Sequence, residues 1–468
     1  MANNRAGSVA VITLGCEKNT VDSEVIGGML ARRGVRLEND AERADTVIVN
    51  TCGFIDHAKK ESIGAILEAL ELKKRGVVRN VYVAGCLSER YRSELETEMP
   101  EVDRFFGTQD FESILSSIIP DATFDFKHNL LGERQPSTPR HFSYLKISEG
   151  CDHPCSFCAI PIMRGGHRSR RIEELEFEAM MLASNGAKEL VLIAQDSTNY
   201  GLDLYGERNL ATLAYRLSRV QGLEWIRIMY AYPARFPLDL LEVMATEEKI
   251  VNYLDMPVQH ASTDVLKSMR RGITRRATEE LISKIRERVP DIVLRTTLIT
   301  GYPTEGEREF EELEAFVREM QFDRLGVFTY SQEEGTSADP LGDPIPQAVK
   351  LERQARLYDI QSEISLAKNL AKVGGVERIL IEREEEIEED DLTPTPLPAG
   401  RGALNPLLPA GRRGQGDEAC YYGRTFAHAP EVDGEVRVRS ECDLVIGDFV
   451  SARITGADEY DLEATVIL

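Results

Sequence analysis

At roughly 100–200 residues per domain, a chain of 468 residues suggests two to four domains, and its 42% hydrophobic and 29% charged residues are an ordinary globular mix. No apolar stretch approaches the roughly 18 unbroken residues of a membrane span, and the polar start, Met1 to Gly7, lacks the order of a signal peptide, so no membrane partner and a cytoplasmic location are expected. The formal net charge of −23 argues against a generally basic nucleic-acid binder; because an acidic chain can still hide a basic face, the charge has to be read by region.

Residues 1–126 read as an α/β domain. The stretches 9–13, 46–49 and 81–84 are short continuous apolar runs, as buried parallel strands are. Helical periodicity runs between them, from Asp22 to Arg33 with a stop at Gly34, and from about Asp56 to Arg75. Residues 127–141 are polar, carry Pro136 and Pro139, and read as a linker. Strand–helix alternation resumes with expected strands at 144–147, 190–194, 226–231, 253–257, 293–299 and 326–330. Six such units predict a partial or full parallel barrel over 142–372, closed by an amphipathic helix from about Pro346 to Lys372. Over 373–468 the expected strands are 378–381, 421–426, 435–439, 449–454 and 464–468, which suggest a small antiparallel barrel. Within it, residues 384–418 carry an acidic run and a near-duplicate, Pro396-Leu-Pro-Ala-Gly-Arg-Gly and Pro406-Leu-Leu-Pro-Ala-Gly-Arg-Arg-Gly. That composition predicts a disordered surface insertion without catalytic role, or else a docking tail for a basic partner.

The eight cysteines are spaced for metal ligation rather than for a disulfide framework. Cys151, Cys155 and Cys158 lie in Glu149-Gly-Cys-Asp-His-Pro-Cys-Ser-Phe-Cys, after an expected strand. Thiolates ligate iron–sulfur clusters, and three of them leave one iron of a four-iron cubane open. The alternative is zinc, with His153 or His167 as fourth ligand. Cys16, Cys52 and Cys86 each stand just beyond an expected strand, in Thr13-Leu-Gly-Cys16, Val49-Asn-Thr-Cys52 and Val83-Ala-Gly-Cys86. Carboxyl ends of neighbouring parallel strands, about 5 Å apart, share one edge of a sheet, so these thiols can converge. Gly15, Gly53 and Gly85 would allow close backbone approach. The alternative is three unrelated buried cysteines.

The Cys-x-x-x-Cys-x-x-Cys run, with Phe157 before its last cysteine, resembles the radical S-adenosylmethionine (SAM) signature. Two three-cysteine sets in this order resemble the methylthiotransferases, which replace C–H with C–SCH₃. The resemblance spans nearly the whole chain, including Arg164-Gly, Ser169-Arg170-Arg171 and a C-terminal barrel of the TRAM type. It implies an enzyme with two [4Fe-4S] clusters and SAM, served by an external electron donor and a sulfur source. By the resemblance, the cluster on Cys151, Cys155 and Cys158 chelates SAM and generates a 5′-deoxyadenosyl radical, while that on Cys16, Cys52 and Cys86 carries the sulfur.

The family has two main substrates, an adenosine in tRNA and, for the RimO type, the β-carbon of an aspartate in the small-subunit ribosomal protein numbered twelve. Two features favour the protein. Residues 376–468 hold 21 Asp plus Glu against nine Arg and no Lys, a net of −12. Phosphate binding draws on Lys and Arg, whereas an acidic barrel attracts a basic protein; a merely solubilising surface would look the same. The run Gly423-Arg-Thr-Phe-Ala-His-Ala-Pro-Glu-Val-Asp-Gly434 also resembles the RimO form, with the insertion at 384–418 as a departure.

Phe157, Glu189, Gln195, Arg227 and Gly301 are further candidates for binding cofactor. Asn185 to Glu189 resembles a SAM-holding segment, or is a helix stop at Gly186. Gln195 and Asp196 end a strand, where ligands of such folds bind. Arg227, on the third barrel strand with Tyr230, could clamp a carboxylate or make a structural pair. Gly301-Tyr-Pro-Thr-Glu305 is a nucleoside contact by resemblance, or a plain turn. His260 is a cavity contact or a satisfied core histidine.

Overall fold

A computed structural model describes residues 7–120, 134–385 and 419–467. The expected insertion at 384–418, save its first two residues, and the first half of the expected linker lie outside the described residues. Among the described residues a five-stranded parallel sheet opens the chain: β1 (Ser8–Thr13), β2 (Arg36–Glu38), β3 (Thr46–Thr51), β4 (Asn80–Gly85) and β5 (Arg104–Phe105), in the order β2-β1-β3-β4-β5. Period-two alternation sorts its side chains. Val9, Ile48, Tyr82 and Ala84 meet the helix Glu17–Ala31 on one face. Ala10, Val47, Val49, Val81 and Val83 meet the helices Asp56–Lys74 and Cys86–Glu98 on the other.

The first helix begins at Glu17, five residues before the sequence suggests, with Cys16 as its N-cap. Apolar periodicity misses this turn because it buries Lys18, Asn19 and Asp22 instead of apolar side chains.

The central sheet holds six parallel strands: β6 (Phe142–Lys146), then, after a short antiparallel ribbon of β7 (Ser148–Glu149) and β8 (Arg168–Ser169), β9 (Glu189–Ile193), β10 (Trp225–Ile228), β11 (Ile250–Asp255), β12 (Val293–Thr300) and β13 (Arg324–Thr329). Their order, β13-β12-β11-β10-β9-β6, leaves the sheet open, so the barrel is partial. Helices cover it through a core that includes Leu192, Ile228, Leu254, Leu298 and Phe316.

The chain divides into two compact units, Met1–Ile364 and Ser365–Leu468, at a point inside the helix Gln347–Leu370. The second unit is a closed barrel of β14 (Val376–Glu384), β15 (Ala419–Arg424), β16 (Val436–Ser440), β17 (Phe449–Ala457) and β18 (Leu462–Val466) around Ile379, Ile381, Val438 and Ile454. It departs from the expected antiparallel pattern at one seam, where β16 and β18 run parallel.

Candidate metal centres

The first thiol set is assembled by three strand ends. Cys16 follows β1, Cys52 follows β3, and Cys86 begins the helix after β4. Gly15 has φ +89°, and a Cβ there would lie 2.6 Å from Cys52 Cβ and 2.8 Å from Cys52 Sγ. Only glycine lets these ends close on each other. Ser62 fixes Cys52 from behind, accepting from its N–H and donating to its carbonyl, both at 2.9 Å. The thiols sense one another. Burial pushes Cys86 up to about 12; Arg164 opposes this, while Cys16 and Cys52 add to it. Cys52 is likewise raised, by burial and by Cys16.

The second set occupies the loop between β7 and the helix Ile160–Arg164. The loop is clamped at Ser156, whose N–H donates to Met269 O at 3.0 Å and whose hydroxyl donates to Ser268 O at 2.9 Å. Burial pushes Cys151 and Cys158 up to about 12, with the neighbouring thiols contributing. Arg271 Nη1 donates to Cys155 Sγ at 3.4 Å, much as Arg164 Nε donates to Cys86 Sγ at 3.3 Å in the first set. A cavity of about 890 Å³ opens beside this loop against Pro154, Arg235, Lys267 and Arg270, and none of the six cysteines lines it.

The donor chemistry fits clusters better than zinc. His153 is hydrogen-bonded to Asp196 at 2.6 Å and stacked on Tyr232, and His167 is hydrogen-bonded through Nε2 to Ser169 at 3.1 Å, with its Nδ1 buried and without a partner among the described residues. Among the described residues no three or more His, Cys, Asp or Glu are gathered so as to hold a metal ion. A cluster is held by thiolates and tuned by hydrogen bonds to sulfur of the kind both arginines supply.

The two sets meet across a buried polar seam. Arg164, 2% exposed, gives Nη1 to Asp22 at 2.8 Å and to both oxygens of Glu149 at 3.1 Å, and Nη2 to Asn19 at 2.5 Å. Lys146 joins the same two carboxylates. Glu149 is largely removed from solvent, which would raise its carboxyl, yet Lys146 and Arg164 bring it down to about 2. Beside this network, Lys18 pairs with Glu17 at 2.7 Å, and its Nζ stands 3.0 Å over the ring of Tyr230. Neither Lys18, Asn19 and Asp22 nor Tyr232 and Arg271 stand out in the sequence as site residues. The one available cue is four polar residues in the opening turns of a helix whose apolar periodicity starts later.

The other candidates separate. Gln195 comes to the seam, donating to Glu149 at 2.8 Å, and its Oε1 is buried without a partner among the described residues. Glu189 and Arg227 are not brought to the cysteine loop. They form a fully buried ion pair at 2.7 Å, and Glu189 opens β9 at the end opposite Gln195. Gly186, at φ +108°, ends a helix. The space a side chain at Gly301 would fill is taken by Lys350, while the Gly301 N–H donates to Glu305 at 2.8 Å. His260 is a satisfied core residue, hydrogen-bonded to Glu305 and Ser262. Phe157 packs among Val265, Met269, Tyr302 and Tyr330.

Comparison with known proteins accords with these assemblies. Residues 8–107 match the model of an uncharacterized protein family, UPF0004; residues 145–317 match the radical SAM superfamily; residues 414–467 match the TRAM domain. The ribosomal protein uS12 methylthiotransferase RimO of Cytophaga hutchinsonii is 46% identical over 467 residues, covering 99% of both chains. The protein of that name from Chloroherpeton thalassium is 49% identical over 462 residues, covering 98% of both. Among solved structures, the radical SAM methyltransferase TsrM from Kitasatospora setae, with cobalamin and a [4Fe-4S] cluster bound, aligns over 71% of this chain and 77% of its own, with a TM-score of 0.53 and 13% identity, a likeness of fold alone.

Proposed function

Since the chain belongs to the ribosomal protein uS12 methylthiotransferase family RimO, we propose that it transfers a methylthio group to the β-carbon of an aspartate in uS12, the small-subunit ribosomal protein numbered twelve, using two [4Fe-4S] clusters and SAM. Cys151, Cys155 and Cys158 hold the radical-generating cluster, and Cys16, Cys52 and Cys86 hold the one that carries sulfur. Bound there, the clusters supply reductive cleavage of SAM and a sulfur to transfer. An external electron donor and a sulfur source serve them.

The observation that carries this reading is the bridge made by Arg164, which joins Cys86 of one set to Glu149, two residues before Cys151 of the other. Such chemistry demands that one substrate carbon sit close to both reacting groups, and a buried arginine with its donors committed fixes that distance. Glu149, held ionised, orients Gln195, whose unpartnered Oε1 suits an ammonium such as that of SAM. The acidic C-terminal barrel supports a basic protein substrate. Its Arg383, Arg424 and Arg437 are engaged by Glu435, Glu382 and Glu385 and so are poorly placed to bind phosphates.

The test uses protein reconstituted anaerobically with iron and sulfide, then given reductant, SAM and either uS12 or unmodified tRNA. Mass spectrometry should find a methylthio group on one uS12 aspartate. Modification of the tRNA alone would overturn the substrate.

A further inference from the structure

A carboxylate that leaves water for the seam between the thiol sets needs a cation to receive it. The cations there, among the described residues, differ in how far they are committed. Arg164 and Lys146 share Asp22 and Glu149 in a closed set of two cations and two carboxylates. Arg271 gives Nη1 to Cys155 and Nη2 to Pro257 O and stacks on Tyr232, which leaves only its Nε, buried, without a partner among the described residues.

Lys18 is placed differently. It is 6% exposed, two residues after Cys16, and Glu17 is its carboxylate partner. An ammonium has three donors, and one carboxylate oxygen does not exhaust them. Lys18 can therefore donate to a second carboxylate while it keeps its bond to Glu17. The ring beneath it belongs to Tyr230, a non-glycine residue at φ +61° just past β10. Strained backbone of this kind persists where surrounding structure enforces it, and it gathers at ligand clamps. Two residues on, Tyr232 OH lies 3.8 Å from Cys155 Sγ, so the Lys18 platform stands beside both thiol sets.

We propose that Lys18 is the receptor for the substrate's carboxylate: its ammonium, seated on Tyr230, grips the target aspartate and selects an acidic side chain over an uncharged one. The β-carbon is bonded directly to the carboxyl carbon, so gripping the carboxylate positions the carbon that reacts. The assignment rests on the reading that an aspartate of uS12 is the substrate.

The test measures binding of fluorescently labelled uS12 to the reconstituted holoenzyme. One form of uS12 carries the target aspartate and the other an asparagine in its place. Wild type should bind the aspartate form at least about tenfold more tightly, as a charged hydrogen bond warrants. Lys18→Met should bring the two forms within about twofold of each other, and Lys18→Arg should restore most of the difference. Iron content equal to wild type certifies each variant, with Lys18→Gln replacing any Met variant that loses iron. Equal weakening of both forms by Lys18→Met would mean a structural role and overturn the assignment, as would a wild type indifferent to the change. If wild type modifies uS12 and Lys18→Met still discriminates, the assignment of Lys18 alone falls. If wild type does not modify uS12, the substrate reading falls and takes the assignment with it.

Discussion

Tyr230 and Tyr232 stand two residues apart beyond the end of β10 and reach different thiol sets. Tyr230 lies under Lys18, two residues after Cys16, while Tyr232 brings its hydroxyl to 3.8 Å from Cys155 Sγ. In a regular strand, side chains two apart point to the same face. The left-handed backbone at Tyr230 breaks that alternation and splays the pair, so a single strand end serves both centres.

With three thiols proposed for each cluster, neither set has a spare ligand. Replacing any of the six cysteines with alanine should remove one whole cluster and leave about half of the iron and acid-labile sulfide. Full iron retention in Cys155→Ala would contradict the three-thiol assignment.

Arg164→Met should be among the most damaging single changes outside the cysteines. It leaves the buried Asp22 and the largely buried Glu149 with Lys146 as the one cation the two share. Breaking a buried pair of this type costs about 3–5 kcal/mol. Denaturant unfolding of wild type and variant would measure the loss, and a change under about 1 kcal/mol would refute the bridge as a structural tie.

Two glycines with similar backbones should respond differently to alanine. Gly76 has φ +74°, and a Cβ added there would meet nothing within 4 Å, so Gly76→Ala should cost about 1–2 kcal/mol and keep full iron. Gly15→Ala drives a methyl group into Cys52 and should lose the iron of the first set. Elemental analysis of both variants separates crowding from strain.

Glu178 sets an acid limit on stability. Burial would raise its pKa, but Arg170, at 2.7 Å, and Arg134, at 3.1 Å, outweigh burial and hold it below the usual carboxylate value. A carboxyl depressed in the folded state contributes stability above its unfolded pKa and loses it as pH falls through the folded one. Wild-type Tm should therefore fall as the pH drops below about 4.5, and Glu178→Gln should show lower Tm at neutral pH with a shallower acid decline. Parallel acid limbs in the two proteins would refute this.

Much of the fold was legible because buried parallel strands announce themselves as apolar runs: the six strands of the partial barrel lie within a few residues of their expected places. The placement of Cys16, Cys52 and Cys86 at one sheet edge was legible for a related reason, since a cysteine just past such a run must stand at the sheet's carboxyl edge. Arg227 and Glu189 pair with each other, one of the two outcomes open for Arg227, because an inward-facing charge on a barrel strand looks the same in sequence whether it meets a ligand or a neighbour. The seam was illegible because its partners are far apart in the chain; Asp22 and Arg164 are separated by 142 residues. The parallel register of β16 and β18 leaves no trace in local pattern, because alternation is the same for either direction.

The three family models that match this chain cover separate stretches, as though each could be exchanged like a cartridge. The ion pairs of Asp22 forbid that for the first two. A chimera that took its opening domain from a distant homologue would have to import a carboxylate at that position, or strand Arg164 and Lys146 in a dry interior. Whoever shuffles these enzymes must therefore keep Asp22 together with Arg164 and Lys146, whichever stretch is exchanged.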